Sequence, residues 1–204
     1  MKKLLLATGN PGKLEEMRQG LSGLVEAGFQ LLSLSDFGIL EEPEETGTTF
    51  KENAELKARY YANLAKIPTL ADDGGFVIPY LNGEPGVRSA RWLGENSDEE
   101  SLIKHTLKKL KKAEGPKRYA YLQLVLCFFD PNNNHLIFES EKIDGLVADK
   151  PCDKRINGFP YRALLKVFPF KKYYDDLSLE EHFQVNHRLK ALKKLEGKLK
   201  QVYE

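Results

Sequence analysis

The segment Leu70-Ala71-Asp72-Asp73-Gly74-Gly75 is the most informative part of this sequence. It follows an apolar run at 67–71, which predicts a short buried strand that ends at the two carboxylates. Adjacent carboxylates repel each other, so we expect a cation to offset the repulsion, and a hard divalent metal ion is the commonest candidate. The alternative is an acidic turn, because Asp and Gly are ordinary turn residues.

The composition is that of a folded globular protein. Hydrophobic residues make up 41% and charged residues 30% of the 204 positions, and we expect a single domain at 1–204. The net charge of +1 gives no reason to expect binding to nucleic acid or to a membrane. No apolar run is long enough for a membrane span or a signal peptide, which predicts a cytoplasmic protein with reduced cysteines.

Hydrophobic patterns predict strands and helices that alternate early in the chain and a middle part rich in strands. The predicted elements are strands at 3–7, 31–34 and 67–71, helices at 14–24, 50–66, 98–112 and 178–199, a hairpin of 118–130 with 135–141 that 145–148 extends, and short strands or loops at 76–80 and 88–92. A break in the last helix near Asn186 is possible. This order indicates an α/β domain with a mixed sheet.

The segment Thr8-Gly9-Asn10-Pro11-Gly12-Lys13 joins the first predicted strand to the first helix. Free backbone N–H groups at a helix N-terminus, together with the helix dipole, favour phosphate binding. Lys13 adds a positive charge, and Thr8 and Asn10 add polar groups. The spacing differs from that of a Walker A loop, so an ordinary strand-to-helix turn is the alternative.

Lys57 falls within the apolar stripe of the helix predicted at 50–66. A buried lysine is costly unless it is paired, so a functional Lys57 would point at phosphate or at Asp72 and Asp73. Asn53, one turn earlier, would line the same face. The alternative is that the Lys57 ammonium extends along the helix to the surface.

The acidic loop Glu41-Glu42-Pro43-Glu44-Glu45 is a second candidate source of metal ligands. One of its carboxylates could complete a metal site with Asp73, because Mg²⁺ usually takes only one or two protein carboxylates and otherwise binds water and phosphate oxygens. The alternative is a solvated run of charges.

The sequence Asn186-His187-Arg188 lies in the last helical region, where His187 and Arg188 are predicted to project away from the apolar side. The arginine fork could donate to a base carbonyl or to a phosphate. Such pairs on helices are otherwise ordinary surface residues.

In their order and spacing, these motifs resemble those of the inosine/xanthosine triphosphate pyrophosphatase family. The matching segments are ATGNPGK at 7–13, ETGTTFKENAELKA at 45–58, ADDGG at 71–75, GEPGVRSARW at 83–92 and HR at 187–188. The resemblance implies an elongated α/β fold in which helices flank a mixed sheet and two lobes have a central cleft. It also implies a homodimer and Mg²⁺-dependent hydrolysis of a nucleoside triphosphate, expected to be a non-canonical purine such as ITP, dITP or XTP, to the monophosphate and pyrophosphate.

The resemblance further implies roles for individual residues. Asp73 matches the proton acceptor of the family, Asp72 would assist it, and Glu45 with Asp73 would bind Mg²⁺. The residues that would hold the phosphates are Thr8, Asn10, Lys13 and Lys57. The other positions expected to bind substrate are Gly74, Phe159, Tyr161, Arg162, His182, His187 and Arg188.

The departures from the family pattern concentrate in the part that resembling enzymes use for the base. The element Phe-Gly-Tyr-Asp-Pro-Ile-Phe appears as FPYRALL at 159–165, so that Arg162 reverses the charge of an aspartate, although Phe159 and Tyr161 could still stack on a base. His182 replaces a lysine, and Asn186 and Gly74 each replace a serine. The motifs therefore predict pyrophosphate release more specifically than they predict the base.

Three alternatives to this function differ in class. One is a diverged nucleotide sensor without turnover, although a sensor has no need of a water-activating carboxylate. Another is the same hydrolysis on a different modified or canonical nucleotide, which Arg162 and His182 favour. A structural or protein-interaction module is the third, and it leaves Lys57 in an apolar stripe unexplained.

Overall fold

The computed structural model describes residues 2–95 and 97–203. The strands are β1 (Lys2–Ala7), β2 (Phe29–Ser33), β3 (Thr69–Val77), β4 (Tyr119–Asp130), β5 (His135–Val147) and β6 (Leu165–Val167). The helices are α1 (Pro11–Gly20), α2 (Ser22–Glu26), α3 (Phe50–Ala65), α4 (Glu99–Lys109), α5 (Leu179–Val185) and α6 (His187–Tyr203).

The six strands form a mixed sheet in the order β2-β1-β3-β4-β5-β6. Strand β1 is parallel to β2 and to β3, with Leu5 opposite Thr69 and Ala7 opposite Ala71. Strand β6 is antiparallel to β5, with Gly145 opposite Val167. The predicted α/β class with a mixed sheet is therefore confirmed.

The chain divides into two compact units. Unit 1 comprises Met1–Asp73, Leu124–Glu141 and His187–Glu204, and unit 2 comprises Gly74–Gln123 and Lys142–Asn186. Each unit has its own hydrophobic core. The single domain expected at 1–204 stays a prediction.

The core of unit 1 lies where α1 and α6 cover one face of the strands. Leu4 and Leu6 on β1 and Leu70 on β3 pack with Met17 of α1 and Leu192 of α6, and all five side chains are fully buried. Successive side chains of a strand point to opposite faces, so Asp72 shares this face with Leu70. Asp73 therefore points to the opposite face.

The prediction that a strand ends at the two carboxylates is wrong. Strand β3 continues through Asp72 and Asp73 to Val77, so both acids lie inside it. The physical reason is the alternation of side chains along the strand, which separates the two carboxylates instead of stacking them. Asp72 and Asp73 can therefore pair with different cations on opposite faces of β3.

Two of the predicted helices are each divided into two shorter helices in the structure. The helix predicted at 14–24 consists of α1 and α2, which Leu21 separates, and the last helical region consists of α5 and α6, which Asn186 separates. The break at Asn186 is the one that the sequence interpretation had allowed for. The long helix α3 agrees with its prediction, and Thr49 and Glu52 form a capping box at its start.

The core of unit 2 surrounds the end of β3 and the segment around Tyr161. Phe76 and Ile78 pack with Tyr161, Leu164 and Leu165, and these side chains are buried. The regions predicted at 76–80 and 88–92 as short strands or loops contain the end of β3 and two 3₁₀ turns, Pro79–Leu81 and Gly86–Arg91. The three-residue strand β6 was missed, because its recognition depends on pairing with β5 rather than on a local pattern.

Candidate active site

The loop between β1 and α1 is held by its own polar side chains. The Asn10 side chain caps α1, where its Oδ1 accepts a hydrogen bond from the Lys13 N–H at 3.1 Å. The Thr8 hydroxyl oxygen accepts from the Asn10 N–H at 3.2 Å, and Pro11 is the first helical residue. Thr8 and Asn10 thereby fix the turn that presents Lys13 from the first turn of α1.

Asp72 binds two cations. Its Oδ2 lies 2.8 Å from Nη2 of Arg188 on α6 and 3.1 Å from Nζ of Lys13 on α1. Burial alone would raise the pKa of Asp72, but Lys13 and Arg188 outweigh it and hold that pKa well below its ordinary value. Lys13 and Arg188 therefore favour the ionised form of Asp72.

Arg188 is shared between two carboxylates. Its Nη1 donates to Oε2 of Glu16 at 2.7 Å while its Nη2 donates to Asp72. Burial would lower the pKa of Arg188, but Asp72 and Glu16 raise it above its ordinary value. Such charge-assisted hydrogen bonds are stronger than neutral ones, so Glu16 and Asp72 together fix the orientation of the Arg188 guanidinium.

Asp73 lies in a second cluster of charges, with residues of α3 and of the loop before it. Its Oδ1 is 3.3 Å from Nζ of Lys57, and its Oδ2 accepts from the Asn53 amide at 3.2 Å. The same Lys57 ammonium binds Oε1 of Glu45 at 2.8 Å. One ammonium thus brings the carboxylates of Glu45 and Asp73 to the same place.

Asn53 fixes the position of the acidic loop. Its Oδ1 accepts from the backbone N–H of Gly47 at 2.8 Å, and its side chain is buried. A second contact holds the start of the loop, where the Tyr61 hydroxyl donates to the Glu41 carbonyl at 3.3 Å. The buried face of α3 therefore holds Glu45 from both sides along the chain.

The two neighbouring aspartates differ in their electrostatics. Burial raises the pKa of Asp73, the positive charge of Lys57 opposes the rise, and Glu45 adds to it. The pKa of Lys57 is raised, since Asp73, Asp72 and Glu45 together outweigh the opposing effect of burial. The cations around Asp72 outweigh its burial, whereas Lys57 offsets the burial of Asp73 only in part.

His187 and Arg188 are buried, whereas the sequence predicted that they would project away from the apolar side of the last helix. The break at Asn186 makes His187 the first residue of a separate helix, α6, and so changes the direction of both side chains. The charge of Arg188 is tolerated because Asp72 and Glu16 compensate it.

In unit 2, the substituted residue Arg162 is buried between two aromatic rings. Its guanidinium carbon is 3.6 Å from the centre of the Phe159 ring and 4.8 Å from that of Tyr174. Cation–π attraction accounts for this placement. The Arg162 side chain therefore already covers one face of Phe159, the ring expected to stack on a base.

The other residues expected near the base have clear partners in unit 2. The Tyr161 hydroxyl donates to the Ser89 carbonyl at 2.7 Å, and its ring stacks on Phe76 with centres 5.0 Å apart. The His182 ring meets Tyr174 edge-on at 5.2 Å. Gly74 is a half-buried residue of β3. Tyr161 is thus a core residue of unit 2, whereas His182 is partly exposed.

The sequence interpretation missed two buried acids. Glu16 lies one turn after Lys13 on α1, and its place beside the buried Met17 was the only available signal. Asp175 in unit 2 is 2% exposed, and neither of its carboxylate oxygens has a well-formed hydrogen bond within the described residues.

Two kinds of feature are absent from the part of the chain that the structure describes. Among residues 2–95 and 97–203, no helix is both long enough and apolar enough to span a membrane. The same residues contain no cluster of three or more His, Cys, Asp or Glu side chains arranged to hold a metal ion. A metal ion at Glu45 and Asp73 would therefore have only two protein carboxylates.

Comparison with known proteins gives a family for this arrangement. The model of the Ham1 family matches residues 4–198. The chain is 39% identical over 193 residues to the dITP/XTP pyrophosphatase of Thermus thermophilus, covering 95% of this chain and 89% of that protein. Its structure is similar to that of a HAM1 protein from Coxiella burnetii, with a TM-score of 0.87, 32% identity and coverage of 98% and 100% of the two chains. The Ham1 protein of Staphylococcus aureus gives a TM-score of 0.83 at 30% identity, with coverage of 98% and 99%.

Proposed function

Because this chain belongs to the Ham1 family, we propose that it hydrolyses non-canonical purine nucleoside triphosphates, such as dITP and XTP, to the monophosphate and pyrophosphate. The observation that carries the proposal is the meeting of Glu45 and Asp73 at the Lys57 ammonium. Asp73 lies on β3 next to Asp72, which binds Lys13. Polyphosphate chemistry needs such a combination of cations and acids.

The charge balance of the site fits a divalent metal ion. Its ion pairs join three cations, Lys13, Lys57 and Arg188, to four carboxylates, so the formal charge of the seven groups is −1. A triphosphate carries roughly four negative charges near neutral pH, so these groups need further positive charge to bind it. Glu45 and Asp73 are suitable Mg²⁺ ligands, since this ion takes one or two carboxylates and completes its shell with water and phosphate oxygens. When bound, Mg²⁺ would neutralise charge on the phosphate oxygens.

Lys13 and Lys57 are the residues that would bind the phosphate tail. Lys13 is presented by the turn that Thr8 and Asn10 fix, at the start of α1, where backbone N–H groups and the helix dipole also favour anions. Lys57 is held by Glu45 and Asp73, and the third N–H of its ammonium can donate to a phosphate oxygen when the tail arrives. These contacts orient the α-phosphorus for attack by water.

Asp73 is the carboxylate that would accept the proton of the attacking water. Its neighbour Asp72 already binds Arg188 and Lys13 through one oxygen, which leaves Asp72 as the residue that holds Lys13. Water attacks the α-phosphorus, its proton passes to Asp73, and the bond from the α-phosphorus to the bridging oxygen breaks. The bond electrons leave with pyrophosphate, whose charge the lysines stabilise.

The side chains around Arg162 are proposed to act on the base. Arg162, Phe159 and His182 belong to one group of contacts in unit 2 that includes the Tyr174 ring. A guanidinium offers several N–H donors, which suits a purine that presents carbonyl oxygens. The homodimer and the cytoplasmic location stay predictions.

A panel of nucleotides tests the proposed function. The protein is incubated with Mg²⁺ and with the triphosphates of inosine, xanthosine, deoxyuridine, adenosine or guanosine, and pyrophosphate and orthophosphate are measured separately. We expect pyrophosphate, released fastest from the inosine and xanthosine nucleotides. Orthophosphate alone would contradict attack at the α-phosphorus. Tight binding without any product would favour the nucleotide sensor.

A further inference from the structure

Four charged side chains of unit 1 form a continuous chain of ion pairs, and its far end has no part in the mechanism above. From this arrangement we propose that Glu16 is a positioning residue, which acts through Arg188 and Asp72 to hold the Lys13 ammonium ready for the phosphate tail. The inference rests on the proposed function, because it assigns Lys13 to phosphate.

The order of charges along the chain alternates. Glu16 binds Arg188 at 2.7 Å, Arg188 binds Asp72 at 2.8 Å, and Asp72 binds Lys13 at 3.1 Å. The side chains of Arg188 and Asp72 are 5% and 1% exposed, whereas that of Lys13 is 21% exposed. The Glu16 side chain is 12% exposed, so Lys13 is the member of the chain with the greatest access to solvent and to a ligand.

The two ends of the ion-pair chain are on the same helix. Lys13 and Glu16 are three residues apart on α1, and residues at this spacing lie on one helix face. The pairs through Arg188 and Asp72 therefore close into a loop with one turn of α1. A closed loop restricts the rotamers of all four side chains more strongly than separate pairs would.

Glu16 determines how Arg188 binds Asp72. Because one guanidinium nitrogen donates to Glu16, the other donates to a single oxygen of Asp72. An arginine that faces a single carboxylate favours two parallel hydrogen bonds to it. Without the charge of Glu16, we expect Arg188 to turn fully onto Asp72 and to displace Lys13.

The charge balance leads to the same expectation. Glu16, Arg188, Asp72 and Lys13 together carry no net formal charge. Loss of the Glu16 charge would leave one buried positive charge uncompensated, which is costly in a low-dielectric environment. Lys13, which is the most exposed member, is the one that can move into water to relieve that cost.

The first experiment compares Glu16→Gln with Glu15→Gln, the exposed neighbour on α1. Turnover and KM are measured with the best triphosphate of the panel, and the affinity for inorganic triphosphate is measured by calorimetry. We expect Glu16→Gln to raise KM and to weaken inorganic triphosphate binding about tenfold, the loss typical of one charge-assisted contact, with kcat changed less. Glu15→Gln should match the wild-type protein.

A double-mutant cycle shows whether Glu16 acts through Lys13. Glu16→Gln should weaken triphosphate binding in the wild-type background and have little effect in a Lys13→Gln background. Equal effects in both backgrounds would overturn the proposal. A purely structural role of Glu16 predicts that Glu16→Gln lowers the melting temperature but leaves KM and the affinity unchanged. That result would also overturn the proposal.

The conservative variant Glu16→Asp keeps the carboxylate and should recover part of the affinity lost in Glu16→Gln. Glu16→Asp can also be measured if the glutamine variant folds poorly. Wild-type affinity in every folded Glu16 variant would overturn the proposal.

The binding measurement separates this inference from the proposed function. If the wild-type protein releases no pyrophosphate but binds inorganic triphosphate through Glu16 and Lys13, the function fails and the inference stands.

Discussion

Nζ of Lys57 lies 3.3 Å from Oδ1 of Asp73, and this contact joins the buried face of α3 to the middle of β3. The same ammonium binds Glu45 at 2.8 Å. A lysine in an apolar stripe is thus compensated by two acids, and these acids are the pair proposed to bind Mg²⁺. The site in unit 1 depends on this lysine.

Asp73→Asn should reduce turnover about 100-fold or more, the range expected for the loss of an acid–base group. The amide keeps the size of the side chain but cannot accept the proton of the attacking water. Pyrophosphate release at saturating substrate is the measurement, with Asp153→Asn, an exposed aspartate of unit 2, as the control. Full activity in Asp73→Asn would mean that another group accepts the proton.

Much of the unit 1 site could be predicted from sequence, because its residues belong to local patterns. The cap at Asn10, the helix at 50–65 and Lys57 in its apolar stripe are each visible within one or two turns of chain. The contact between Arg188 and Asp72 was not predictable in this way. These residues are 116 positions apart, and only the folded arrangement of β3 and α6 brings them together.

The sequence interpretation was also wrong about where the strand that holds the two aspartates ends. The glycines after Asp73 suggested a turn, although β3 continues through them to Val77. Glycine is common in turns but is also used in strands where another backbone approaches closely. Gly75 is such a position, so a substitution at Gly75 tests the packing in unit 2.

Gly75→Ala should destabilise the protein by about 2 kcal/mol, as overpacking in a tight interior does. A Cβ at Gly75 would lie 2.2 Å from the Ser89 hydroxyl oxygen and 2.5 Å from the Gly86 carbonyl oxygen. The Ser89 hydroxyl cannot simply move, because it donates to Gly86 and accepts from the Phe76 N–H. The free energy of unfolding, from denaturant titration, is the measurement.

The matched control is Gly197→Ala in α6, where a Cβ would meet no atom of the described residues within 4 Å. Alanine favours a helix over glycine, so this variant should gain about 0.5–1 kcal/mol. If Gly75→Ala were as stable as the wild-type protein, the close approach of Ser89 to β3 would be wrong.

Glu45→Gln should raise the Mg²⁺ concentration needed for half-maximal activity about tenfold, since a neutral amide is a weaker ligand for a hard cation than a carboxylate. Glu44→Gln, an exposed residue of the same loop, should leave that concentration unchanged. The measurement is pyrophosphate release in a Mg²⁺ titration, after removal of metal with a chelator. An identical Mg²⁺ requirement in both variants would exclude Glu45 as a ligand.

The buried acid Asp175 should make stability depend on pH. Burial raises the pKa of Asp175 to about 6 from its ordinary 3.8, and the charge of Arg162 opposes the rise only in part. Between about pH 4 and pH 6 the folded state therefore binds more protons than the unfolded state, so the free energy of unfolding falls as pH rises through this range. One pKa unit corresponds to about 1.4 kcal/mol, which gives a loss of about 3 kcal/mol from this group by neutral pH.

Asp175→Asn cannot ionise and should lack this part of the decline, whereas Asp176→Asn, its exposed neighbour, should keep it. Denaturant titrations at pH 4, 5, 6 and 7 give the free energy of unfolding of each variant, and the difference from the wild-type protein isolates the contribution of one carboxyl. The Asp175→Asn protein should gain stability relative to the wild-type protein as the pH rises. A constant difference across this range would show that Asp175 ionises alike in the folded and unfolded states.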